Sequence, residues 1–199
     1  MKKLLLFASL LTGCLTSPLR ADTVVVFNEI MYHPATNEPV SEWVELRNQM
    51  AVDVDISGWS IAGGIQYTFP SNSIVRGGGF VVVAVSPTNL MAVTGLTNVL
   101  GPFAGRLSNN GNRLQLINNS GRVMDEINYG TDGDWPVAPD GSGFSLAKHD
   151  RDSASGPAEN WVSSDQPGGT PGAENFPFLA AAVPDVQLIK VDSAWHYEA

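Results

Sequence analysis

From residue 23 onward the chain is a succession of short apolar, β-branched runs, each broken within a few residues by Gly, Asn, Asp or Pro. Such punctuation leaves no room for long helices and favours short strands joined by tight turns. The predicted strands are 23–31 (TVVVFNEIM), 43–48 (WVELRN), 54–56, 66–69, 80–85, 113–117, 123–129 and 145–148. Within the second, Glu45 and Arg47 fall on one face and Val44 and Leu46 on the other, the alternation of a half-buried antiparallel strand. Arg113-Leu114-Gln115-Leu116 repeats it, and Asn118-Asn119-Ser120-Gly121 is a hairpin turn, because Asn and Gly tolerate positive φ. No stretch carries a helical stripe of about twelve residues or more; only 89–92 offers a short helical turn. The architecture that satisfies this pattern is all-β: an immunoglobulin-like antiparallel β-sandwich of two sheets over 22–175, with long Gly- and Pro-rich loops at its ends.

Composition narrows the function. Gly and Pro make up 33 of 199 residues, and only 16% of side chains are charged against 43% hydrophobic, which excludes intrinsic disorder. With 11 basic and 20 acidic residues the net charge is -9, so the clustered cations that neutralise phosphates are missing and no nucleic-acid partner is expected. The single cysteine excludes a disulfide framework within the chain and a cysteine-based zinc site.

That cysteine lies in an export signal. Lys2 and Lys3 form a basic start to residues 1–21, followed by an apolar stretch too short to span a bilayer permanently. Leu11-Thr12-Gly13-Cys14 resembles the bacterial lipobox, in which the cysteine is acylated and becomes the mature N-terminus; cleavage after Ala21 is the alternative. The latter would leave eight basic and twenty acidic side chains, a net charge of -12. Either route predicts an exported chain, periplasmic or outer-membrane if acylated at Cys14 and otherwise periplasmic or extracellular, meeting a membrane only through that lipid. Residues 176–199 change character and read as a linker followed by the start of a further module, or as the shortened end of a longer relative.

Nine spaced signatures then coincide, including Phe27-Asn28-Glu29-Ile30, Glu42-Trp43-Val44-Glu45-Leu46-Arg47-Asn48, Asp55-Ile56-Ser57-Gly58-Trp59, Leu107-Ser108-Asn109-Asn110-Gly111, Asp125-Glu126-Ile127-Asn128-Tyr129, Asn160-Trp161 and Gly168-Gly169-Thr170-Pro171-Gly172. Together they resemble the lamin tail domain, in its bacterial exported branch. The resemblance implies an immunoglobulin-like fold and a binding or scaffolding role, with relatives that meet chromatin and envelope proteins in nuclear lamins and accompany hydrolases or surface modules in bacterial exported proteins. The chain has neither a heptad rod nor a basic import cluster, and its acidity opposes DNA.

Among residues able to carry chemistry, His33, His149 and His196 are scattered without metal-ligand spacing. Gly143-Phe144-Ser145-Leu146-Ala147 misses the nucleophile elbow, since Ser145 opens a strand in an all-β chain. Asp132 and Asp134, and Asp150 and Asp152, sit in Gly- or Ser-rich loops and are candidate Ca²⁺ ligands, although neither pair extends to the EF-hand pattern. Glu42 and Glu45 point to opposite faces and are poor partners for glycoside hydrolysis. Glu29, Glu42 and Glu45 are expected to accept loop N–H groups or to pair with Arg47. Trp43, Trp59, Trp135 and Trp161 either stack a sugar or anchor the core, with Trp59 and Trp161 first choices for core.

No catalytic constellation emerges and no cofactor is required. The expectation is a non-catalytic exported module that meets an unidentified protein or polysaccharide of the cell surface through loops 132–140 and 148–160, with Trp135, His149 and Arg151 as binding candidates. An accessory domain of a larger envelope hydrolase and a Ca²⁺-dependent adhesion module are the alternatives.

Overall fold

A computed structural model describes residues 24–38 and 40–177. The signal, Cys14, His196 and the tail beyond 177 lie outside the described residues. In chain order the elements are β1 (Val25–Met31), β2 (Trp43–Asn48), β3 (Val54–Asp55), β4 (Ser60–Gly63), β5 (Ile65–Thr68), β6 (Ile74–Val75), β7 (Phe80–Ala84), α1 (Pro87–Thr94), β8 (Ala104–Gly105), β9 (Asn112–Ile117), β10 (Val123–Tyr129), β11 (Leu146–Lys148) and β12 (Trp161–Ser163). Two five-stranded sheets, ordered β12-β11-β1-β2-β7 and β10-β9-β4-β5-β8, form the sandwich, with β3 and β6 as a small ribbon. All the named pairings are antiparallel.

Phe27, Ile30, Val44, Leu46 and Val83 from the first sheet meet Ile61, Leu114, Leu116 and Ile127 from the second in one buried core. Trp59 and Trp161 belong to it as expected. A bulge between Phe27 and Glu29 inserts Asn28 and resets the parity of β1, so that Phe27 and Ile30 both face inward. The expected 118–121 hairpin joins β9 to β10: Asn118 Oδ1 accepts the N–H groups of Ser120 and Arg122, and Gly121 adopts φ +81°. On the outward face of that hairpin Arg113 Nη2 lies 2.7 Å from Glu126 Oε2, with both side chains more than a third exposed. Water screens such a pair, so Arg113→Ala is expected to change unfolding free energy by less than about 0.5 kcal/mol in urea titration; a larger loss would show that the pair fixes the register of β10.

Two expectations change. The predicted half-buried strand β2 is buried along its whole length, because the outward face of β1, β2 and β7 carries a second layer. Met31, Trp43, Val82 and Ala84 on that face pack with Leu90 of α1 and Val99. The short helical turn at 89–92 proves to be α1, started by Pro87 and ended by Gly95 in the left-handed region. Leu90 is its one buried residue, which is why no apolar stripe marked it.

Candidate functional site

The other half of the second layer is a strap, residues 164–175, laid across the polar faces of β1 and β2. Ser164 begins it by exchanging hydrogen bonds with Ser145, its N–H reaching the Ser145 carbonyl at 3.0 Å and its hydroxyl accepting the Ser145 N–H at 3.0 Å. Glu29 Oε1 accepts the Thr170 N–H at 3.0 Å and the Ser145 hydroxyl, while Oε2 accepts the Thr170 hydroxyl at 2.9 Å. Glu45, the ladder partner of Glu29, accepts the Gly172 N–H at 2.5 Å and the Asn28 amide at 2.7 Å. Asn175 closes the strap by donating to the carbonyls of Asn28 (3.0 Å) and Lys148 (2.9 Å). Arg47 Nη1 reaches Glu174 at 2.7 Å, with its guanidinium 5.1 Å from the Phe80 ring centre.

Glu29 and Glu45 are wholly buried and face each other across the ladder. Burial raises the pKa of Glu29, and burial together with the charge of Glu29 raises that of Glu45 well above its ordinary value. Glu42 lies on the opposite side of the sheet and accepts the Leu107 N–H at 2.8 Å; burial pushes its pKa up to about 7. All three glutamates thus accept loop N–H groups, as expected, whereas the ion-pair partner of Arg47 is Glu174 of the strap rather than one of them.

A second buried network ties β11 to the core. Lys148 Nζ donates to the Ser153 carbonyl (3.1 Å) and the Ser155 hydroxyl (2.9 Å), and sits 5.5 Å from the Trp161 ring centre. Ser155 donates in turn to Asp125 at 2.6 Å, and Asp125 accepts the Phe27 N–H at 2.8 Å. Burial lowers the Lys148 pKa to about 8 and raises that of Asp125.

Two grooves flank the strap. One, of about 770 Å³, brings together His149, Asp150 and Arg151 with Glu174 and Phe176. It therefore unites two of the three sequence-derived binding candidates. Trp135, the third, is half-buried against the core, with its ring packed on Gly130. The other groove, of about 670 Å³, lies between α1, the strap and the 34–41 loop, over Met31, Trp43 and Leu90. Sequence reading missed it, although its strap wall, Gly168-Gly169-Thr170-Pro171-Gly172, stood out as a motif.

The Asp candidates are not gathered. Asp132 and Asp134 are exposed in one turn; Asp150 uses its carboxylate on the Asp152 N–H at 3.0 Å. No three His, Cys, Asp or Glu residues come together to hold a metal among the described residues. Ser145 is completely buried with its hydroxyl on Glu29. His33 Nδ1 lies 2.6 Å from Asp140.

Fold and site define a class: an immunoglobulin-like β-sandwich whose acidic side chains fasten its own loops. The lamin tail domain model matches residues 19–131, and the chain belongs to that family. No curated protein matches the chain. The match stops before β11, β12 and the strap, which complete the first sheet and cover it.

Proposed function

We propose that this lamin tail domain is a non-catalytic binding or scaffolding module of the bacterial cell envelope or secreted fraction. One observation carries the first part: Glu29, Glu42 and Glu45, the buried carboxylates best suited to acid–base chemistry, each accept backbone N–H groups of the domain's own loops. Held in that way they position loops instead of meeting a substrate. The partner belongs to the cell surface, protein or polysaccharide, and the faces available to it are the two grooves beside the strap and the loops around them. Export rests on the basic start, the short apolar stretch and Cys14.

Expression of the full chain in a bacterium with an outer membrane tests this reading. Mass spectrometry of the fractionated product is expected to find a mature chain beginning at an acylated Cys14 in the membrane fraction, or at Asp22 in the periplasm or medium. A Cys14→Ser variant releases the protein from membranes in the first case and changes nothing in the second. A full-length, unprocessed chain in the cytosol overturns the exported role.

A further inference from the structure

We infer that the groove between α1 and the strap is a binding site for an uncharged oligosaccharide; the inference rests on the reading of the domain as a binding module. None of the nineteen described residues lining the groove is charged, in a chain whose side chains are 16% charged overall, where about three would be expected. Glu38, at the edge of the lining loop, turns away, its carboxylate lying 3.8 Å from Arg106 and 3.9 Å from His33. Glu29 and Glu45 are sealed beneath the strap with no exposed surface. An ionic ligand would therefore lose hydration in this groove and meet no counter-charge.

What the rim does present is neutral hydrogen-bonding chemistry. Asn37 and Asn89 carry amides, each offering donors and an acceptor, and Thr36 and Ser41 carry hydroxyls. Gln166 donates its amide N–H to the Gly169 carbonyl at 2.9 Å, which sets its side-chain orientation on the strap side. Adjacent sugar hydroxyls, each both donor and acceptor, match amides in this way. Beneath them the floor of Met31, Trp43 and Leu90 is at most 5% exposed, while Val93 on the α1 rim is 72% exposed. The groove thus supplies a C–H surface at its rim and no deep apolar socket. A hydrophobic peptide anchor finds nothing to fill, whereas a sugar ring, polar at its edge and apolar on its face, suits both features. The volume, about 670 Å³, lies within the range of small-ligand sites.

An extended peptide is disfavoured for a second reason. Peptide capture by strand addition needs an open edge. The edge of β7 beside α1 is already occupied, since Leu100 donates to the Val82 carbonyl at 2.8 Å and accepts from the Ala84 N–H at 2.9 Å.

The test uses the full chain and a panel of soluble gluco-, manno-, xylo- and chito-oligosaccharides, with oligogalacturonate and chitosan oligomers as charged counterparts, read by saturation-transfer NMR and titration. Saturable binding of at least one neutral oligosaccharide is expected. Asn37→Gly together with Asn89→Ala should weaken it about tenfold, the loss of one or two hydrogen bonds. Glycine suits the φ of 59° at Asn37 and alanine suits a helix, so neither change threatens the fold. Val93→Glu, on the exposed rim, should abolish binding, and Arg122→Ala, exposed on the hairpin between β9 and β10 and outside both grooves, should leave it unchanged. Absence of saturable binding to every neutral oligosaccharide, equal or tighter binding of the charged ones, or binding indifferent to the rim variants overturns the assignment. Failure of the export reading shows separately, in the fractionation and N-terminal mass.

Discussion

Gly169→Val is expected to destabilise the protein by about 2–5 kcal/mol and to free the strap, making residues 164–175 cleavable by protease under conditions where the native sandwich resists. Two effects add at this position. The residue has φ +72°, where a side chain costs about 1–2 kcal/mol. A Cβ there would also stand 2.7 Å from the Ser145 hydroxyl and 3.0 Å from Trp43 Cζ2, and closer still to Glu29 Oε1. None of these can retreat easily, since Ser145 and Glu29 are bonded to each other and Trp43 is packed against Met31 and Leu90. Overpacking of that kind adds about 1–3 kcal/mol. Gly168 is the built-in control: its φ is +88° but nothing lies within 4 Å of its would-be Cβ. Gly168→Ala should therefore show the backbone cost alone, about 1–2 kcal/mol. Urea unfolding of both variants, with limited proteolysis followed by mass, measures the difference. Equal losses at the two positions would mean that the strap is not seated on the glutamates as described.

The glycine pair also shows what could and could not be read from the chain. Strands with several alternating residues were legible, since β1, β2, β7, β9 and β10 each carry enough side chains to display a period. Strands β4, β6, β8 and β12 have two to four residues and no period to display. Trp161 was legible as core, but not the strand it occupies. The polar face of β2 was misread as solvent-facing for a more general reason. A carboxylate on a strand signals water unless something supplies hydrogen bonds, and the supplier here, Thr170 and Gly172, lies about 130 residues away in sequence. Glu29, Glu45 and the Gly-Gly-Thr-Pro-Gly motif were each visible; their contact was not. The groove beside α1 was hidden on the same account, since its walls come from three distant segments and its distinguishing property is the absence of charge.

Stability is expected to fall as pH rises from about 4.5 to about 7, and Glu42→Gln should flatten that slope. Tyr32 lies in the core between the sheets, and Glu42 precedes β2 with its carboxylate on the Leu107 N–H. Both are buried, and neither Tyr32 Oη nor Glu42 Oε1 makes a hydrogen bond among the described residues. The neutral acid can remain in such a place; the carboxylate is disfavoured, and Arg106 opposes the effect of burial while Glu38 reinforces it. A folded-state pKa of about 7 against an ordinary 4.5 means that the unfolded chain ionises first. The stabilisation is complete below pH 4.5 and is lost as pH climbs through the folded value, a loss on the order of 1–3 kcal/mol. Burial of Glu29 and Glu45 acts in the same direction, so the variant keeps part of the slope. Glutamine preserves a carbonyl for the Leu107 N–H and never ionises, so Glu42→Gln should match the parent near pH 4 and exceed its stability at pH 8. Urea titrations across pH 4–8 decide the matter: an unchanged slope in the variant would show that Glu42 is ionised in the folded protein throughout that range, and its pKa would then lie in the ordinary carboxylate region.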